Sequence, residues 1–119
     1  MKTTYRDLLA YQTKDGSLIR ELMHPGLHDV KNQSLAEAVI PPRVTTHLHR
    51  HLTSEEIYHI TQGRGEMRLD DELFSVVSGD TILIPPGTPH AILNEGDIAL
   101  HILCCCSPAY SHEDTELID

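Results

Sequence analysis

Turn-forming clusters interrupt this chain at short, regular intervals, and the segments between them are too short for comfortable helices. "KDG" (14–16), "HPG" (24–26), "PP" (41–42), "QGRG" (62–65), "LDDE" (69–72), "SGD" (78–80), "PPG" (85–87) and "NEGD" (94–97) all punctuate it. Between them lie runs of β character: "SLIREL", "SLAEAVI", "RVTTHLHRH", "EIYHIT", "EMRL", "LFSVV", "TILI", "HAIL" and "IALHILCCC". Only "YRDLLAY" near the start could make a short helix. Many short strands joined by turns predict an all-β antiparallel sandwich or barrel. With 119 residues and no linker or low-complexity segment, the expectation is a single domain over 1–119. Residues 109–119, "AYSHEDTELID", form an acidic tail or an edge segment.

Aromatics are few, four Tyr, one Phe and no Trp, so the core has to come from Leu, Ile, Val and Ala. The formal charge of −9 argues against nucleic acid and anionic membranes as partners and favours solubility. No apolar run reaches membrane-spanning length, and "MKTTYRDLLAYQTKDG" lacks the apolar core of a signal peptide, so the expected location is the cytoplasm. Three consecutive cysteines, Cys104, Cys105 and Cys106, do not make a disulfide framework. They read as small buried hydrophobes in a reducing compartment.

The chemistry concentrates in "HLHRHLTSEEIYHITQG" (47–63). If "RVTTHLHRH" is one strand, His47, His49 and His51 share a face. Three inward imidazoles need an explanation, and a divalent metal supplies one. After a short turn, Glu56 begins the next strand with Tyr58 on its face, while Glu55 and His59 point the other way. A further ligand comes from "GDTILIPPGTPHAILN" (79–94), where the rigid Pro85–Pro86–Gly87 turn aims His90. His24, His28 and His112 sit beside turn or acidic residues and read as solvated.

These two stretches resemble the paired motifs of the cupin superfamily. The first motif, G-x5-H-x-H-x3–4-E-x6-G, is matched by His49, His51, Glu56 and Gly63, with four residues between His51 and Glu56 and six between Glu56 and Gly63. The rival register of His47 with His49 leaves six residues before Glu56 and fits badly. The second, G-x5-P-x-G-x2-H-x3-N, is matched by Gly79, Pro85, Gly87, His90 and Asn94. One position departs: Arg43 stands where the first motif opens with Gly, so the motifs cover 43–63 and 79–94. The resemblance implies a jelly-roll barrel, the double-stranded β-helix, with His49, His51, Glu56 and His90 holding one divalent transition metal. It also implies a homodimer whose edge strands pair across subunits, with "SLIREL" and "SLAEAVI" as contributors.

Three imidazoles and a carboxylate suit Fe, Mn, Ni, Zn or Co and leave open positions for a ligand. Three function classes follow. The first is a metal-dependent isomerase or lyase acting on a small polar or anionic sugar-like molecule. The second is an Fe(II)-dependent dioxygenase, and the third a non-catalytic small-ligand-binding or sensor module. For proton transfer, the candidates by face or motif neighbourhood are His47, Tyr58 and His101. Tyr58 reads as a wall residue before an acid, and His101 could face either side.

Overall fold

The computed structural model describes residues 1–118, so Asp119, the last residue of the acidic segment, lies outside the described residues. Eleven strands run in chain order: β1 (Ala10–Gln12), β2 (Leu18–Met23), β3 (Ser34–Ile40), β4 (His49–His51), β5 (Glu55–Gln62), β6 (Arg64–Leu69), β7 (Glu72–Val77), β8 (Thr81–Ile84), β9 (His90–Asn94), β10 (Leu100–Ser107) and β11 (Thr115–Leu117). They form two antiparallel sheets, one ordered β1-β2-β3-β10-β5-β8 and the other β11-β4-β9-β6-β7. This is the double-stranded β-helix, an all-β fold. No α-helix occurs among the described residues. "YRDLLAY" yields only a 3₁₀ turn at Tyr5–Asp7, and its end is drawn into β1, which pairs with β2. Among the described residues, no helix is long and apolar enough to cross a membrane.

Alternation explains the packing. β3 buries Ser34, Ala36, Ala38 and Ile40, and β10 buries Leu100, Ile102, Cys104 and Cys106. The inner faces meet in one cluster that includes Ile40, Ile60, Ile84, Ile102 and Leu100 from the first sheet and Met67, Val76 and Ile92 from the second. Each such side chain contributes roughly 1.5–3 kcal/mol on burial. Isoleucine dominates where a mixture was expected, as suits β-branched side chains on a pleated surface. Cys104 and Cys106 face inward and Cys105 outward, as the strand period requires.

Two expectations are corrected. "RVTTHLHRH" is not one strand: β4 begins only at His49, and Thr46 rather than His47 is buried before it. "SLIREL" and "SLAEAVI" are not free edges either, because β2 lies between β1 and β3, and β3 between β2 and β10. The acidic segment, by contrast, does supply an edge strand, β11, paired with β4 at Thr115↔His51 and Leu117↔His49.

The motif glycines have structural reasons. Gly63 sits at φ 90°, and a Cβ there would come within 3.1 Å of the Ala99 carbonyl. Arg43 adopts φ 69°, the left-handed conformation that the motif's glycine would take without cost. Its backbone N–H donates to the Asn94 carbonyl at 2.9 Å, and its guanidinium reaches Asp97 at 2.6 Å. Asn94 is fully buried and braces the turn with amide bonds to the Ile40 and Ile98 carbonyls, both 2.9 Å.

Candidate metal centre

Pairing brings the motif histidines together. His49 and His90 are direct cross-strand partners on β4 and β9, and His51 lies two residues along β4 on the same face. The ring centroids are 4.2 Å apart for His49–His90, 5.2 Å for His49–His51 and 5.4 Å for His51–His90. One ligand nitrogen from each lies within 4.8 Å of the others. Glu56 enters from β5 on the opposite sheet, so the cluster bridges the two halves of the barrel. Its Oε1 is 3.1 Å from His51 Nε2 and 3.5 Å from His90 Nε2. All four side chains are buried, His90 completely.

Each imidazole is oriented by an oxygen on its far side. His49 Nδ1 meets the His47 carbonyl at 2.8 Å, and His90 Nδ1 meets the Thr88 carbonyl at 2.9 Å. His51 Nδ1 meets Thr115 Oγ1 at 3.0 Å, and that hydroxyl donates to the Ser111 carbonyl at 2.8 Å, so it must accept from the ring. The three Nδ1 atoms therefore carry the protons, and three Nε2 lone pairs point inward. On the carboxylate, Cys106, the cross-strand neighbour of Glu56, donates its thiol to Oε2 at 3.3 Å. That leaves Glu56 Oε1 free.

Three of these side chains, His49, His51 and His90, could hold a metal ion. Glu56 Oε1 and His90 Nε2 are both buried with no hydrogen-bond partner. Buried acceptors facing one another with no proton between them are costly. A divalent ion resolves that cost, and N and O donors of this kind fit Fe, Mn, Ni, Zn or Co. Protonation states agree. Burial raises the Glu56 carboxyl, but protons on His51 and His90 Nε2, the positions a cation would take, hold it down at about 2. Burial and the neighbouring His90 push His49 down to about 4. At neutral pH the set thus offers an ionised carboxylate and a neutral His49, as metal binding requires.

Beyond these side chains opens a lumen whose void, mouth included, is about 500 Å³. Tyr58 forms its wall, with its ring 5.9 Å from that of His90. Burial, and then the Glu56 charge, raise its hydroxyl well above the usual range, so it keeps its proton and is a weak acid. His47 and His101 are not among the lining residues. His47 is exposed, because the chain leaves regular alternation between Thr46 and His49, and it acts through its backbone carbonyl. His101 lies on the outer face of β10, 3.3 Å from Glu37. His59 also faces outward, against the Thr81 hydroxyl at 2.8 Å. His24 is not freely solvated: its Nε2 lies 2.8 Å from the Tyr110 carbonyl.

Sequence reasoning missed Asp15. It sits in the turn between β1 and β2, where Ser17 donates its backbone N–H at 2.9 Å and its hydroxyl at 2.6 Å to Oδ1. The hairpin is tied to the metal side by the His47 N–H, which donates to the Asp15 carbonyl at 2.8 Å. The other oxygen, Oδ2, lies 3.7 Å from His49 Nε2. "KDG" reads as a turn signal, and nothing local says that its aspartate enters the lumen.

The model of the cupin domain family matches residues 36–106. The chain belongs to the cupin family. Over its whole length this cupin is 57% identical to the uncharacterized protein MJ1618 of Methanocaldococcus jannaschii, of which it covers 95%. Among solved structures, it resembles Streptomyces PAC13 with uridine at a TM-score of 0.81, covering 99% of this chain and 90% of that one at 16% identity. It also resembles the oxalate decarboxylase formate complex of Lactobacillus farciminis at a TM-score of 0.81, covering 95% of this chain but 34% of that one, at 25% identity.

Proposed function

We propose that this cupin works as a single domain that holds one divalent transition metal on His49, His51, Glu56 and His90. It acts on a small polar, sugar-like molecule by isomerisation or lyase chemistry. The observation that carries the metal reading is the pair of orphaned buried acceptors, Glu56 Oε1 and His90 Nε2, amid oriented imidazoles. When bound, the metal would supply a Lewis acid to polarise a carbonyl or carboxylate. The chain's own part is proton transfer. Asp15 is suited to it, since Oδ1 is pinned by Ser17 and Oδ2 is free at 3.7 Å from His49. Tyr58 and Cys104, both buried, are part of the wall around the site. Lyase chemistry is also what the name of the L. farciminis neighbour carries.

Metal analysis of the purified protein followed by turnover assays tests this. One equivalent of metal and turnover of a sugar acid under argon are expected. Substrate-dependent O₂ uptake by the Fe(II) form would replace the isomerase or lyase reading with a dioxygenase. Tight binding without turnover in either atmosphere would replace it with a binding module.

Three free thiols with no partner cysteine elsewhere support a cytoplasmic, reducing location. A homodimer is supported by the outer face of the six-stranded sheet rather than by its edges. Leu35, Cys105, Ile57 and Leu83 are register partners across β3, β10, β5 and β8, and the Leu and Ile of this row are exposed. Light scattering is expected to give a dimer for the native chain and a monomer for Ile57→Glu.

A further inference from the structure

The lumen wall across from the histidines carries a second buried carboxylate that the metal reading does not use. Glu21, on β2, is 7% exposed and lines the cavity. Tyr11 donates its hydroxyl to Glu21 Oε1 at 2.7 Å. Oε2 is buried and has no partner at all. Burial, the Glu21 bond and the Glu21 charge all raise the Tyr11 hydroxyl, so it remains a donor and keeps Oε1 occupied. Asp15 adds a second acceptor on this side, with Oδ1 filled by Ser17 and Oδ2 free. Among the lining residues there is no Lys and no Arg. An acceptor oxygen held in a cavity without a donor is costly unless a ligand brings the donor.

From this we infer that the lumen takes a polyhydroxylated molecule with at most one negative charge, whose hydroxyl donates to Glu21 Oε2. The inference deepens the function proposed above and rests on it for the metal. The wall opposite the histidines carries two carboxylates and no cationic side chain, so a second anionic group such as a phosphate would meet repulsion there and find no cation to pair with. A neutral polyol, or a sugar acid whose single carboxylate goes to the metal, meets neither obstacle. Sites built to bond a hydroxyl discriminate strongly against analogues that lack it, because their own polar groups are then left unpaired.

The test uses metal-loaded full-length protein and calorimetric titration with four probes. Ribonate carries one carboxylate and several hydroxyls, acetate one carboxylate and no other donor, oxalate two carboxylates and no donor, and ribitol hydroxyls alone. Ribonate is expected to bind about tenfold or more tighter than acetate and oxalate, the gain that hydrogen bonds to a charged acceptor typically give. Glu21→Gln, which keeps the side-chain shape, is expected to remove that advantage while leaving acetate binding and metal content unchanged. Circular dichroism verifies that the variant is folded. Oxalate binding more tightly than ribonate, ribonate no better than acetate, or an advantage that survives Glu21→Gln overturns the inference. Should the protein hold no metal, the metal reading fails separately and ribitol decides. Ribitol binding that Glu21→Gln abolishes upholds the acceptor wall, and absence of ribitol binding overturns it.

Discussion

The two walls of the lumen are built in different ways. On one side, His49, His51 and His90 come from strands β4 and β9, and Glu56 reaches across to them from β5. All four sit at fixed spacings inside two short motifs. On the other side, Asp15, Glu21 and Tyr11 come from the N-terminal hairpin and follow no motif. The first wall gathers three imidazoles that could hold a cation, with Glu56 Oε1 and His90 Nε2 left without a hydrogen-bond partner. The second carries two carboxylates, each with one oxygen filled and one without a hydrogen bond, Asp15 Oδ2 and Glu21 Oε2. Under the proposed function, metal placement and ligand choice are separable in this barrel, and substitutions can be sorted by which wall they touch.

The largest effect is expected on the motif wall. His51→Ala removes an Nε2 ligand and strands Glu56 Oε1 further, so metal affinity should fall by more than about a hundredfold, beyond the range usual for outer-shell changes. Metal content after dialysis is the measurement. If His51→Ala keeps a full equivalent while His47→Ala loses it, the ligand register is wrong and the motif wall is not the metal wall.

On the hairpin wall, Asp15→Asn should behave in the opposite way. Asparagine keeps an oxygen for the Ser17 bonds, so the hairpin should hold. Metal content should be retained, and turnover should drop by about 10²–10⁴-fold, the usual worth of a positioned acid or base. Loss of metal together with activity would merge the two walls and make Asp15 part of the metal set.

How far each wall can be read from sequence follows from what fixes it. Ligands two residues apart on a strand, or just after a rigid Pro-Pro-Gly turn, are set by local geometry, and spacing reveals them. Parity failed locally at His47, because residues 45–48 form only an isolated bridge at Thr45 and do not continue β4. It was silent on Asp15 and Glu21, since nothing near them in the chain says that the β1–β2 hairpin closes over the histidines. Tyr58, on the inner face by parity, is buried beside Glu56 as a wall residue. The fold itself is legible from turns and alternation, the edge segment that becomes β11 included, except where the N-terminal "YRDLLAY" gives up its end to β1.

The smallest effect tests whether the motif wall is as self-contained as its spacing suggests. Two of its supports come from outside the motifs, 50 residues or more away, and both are cross-strand neighbours of the residues they hold. Cys106 pairs with Glu56 and donates to Oε2. Thr115 pairs with His51 and accepts from Nδ1. Valine at 115 fills the same space but cannot accept a hydrogen bond, so His51 loses the contact that fixes its tautomer. Thr115→Val should therefore weaken metal binding by about tenfold, at the lower end of the outer-shell range, with the fold intact. Competition with a chelator of known affinity measures this directly. Cys106→Ser should cost less, since a hydroxyl can still donate to Glu56, whereas Cys106→Ala cannot. Equal affinity for all three variants and the native chain would mean that the four ligands need no support beyond their own strands. A graded loss, Thr115→Val and Cys106→Ala below Cys106→Ser, would mean that β10 and β11 are part of the metal wall, joined to it by register alone.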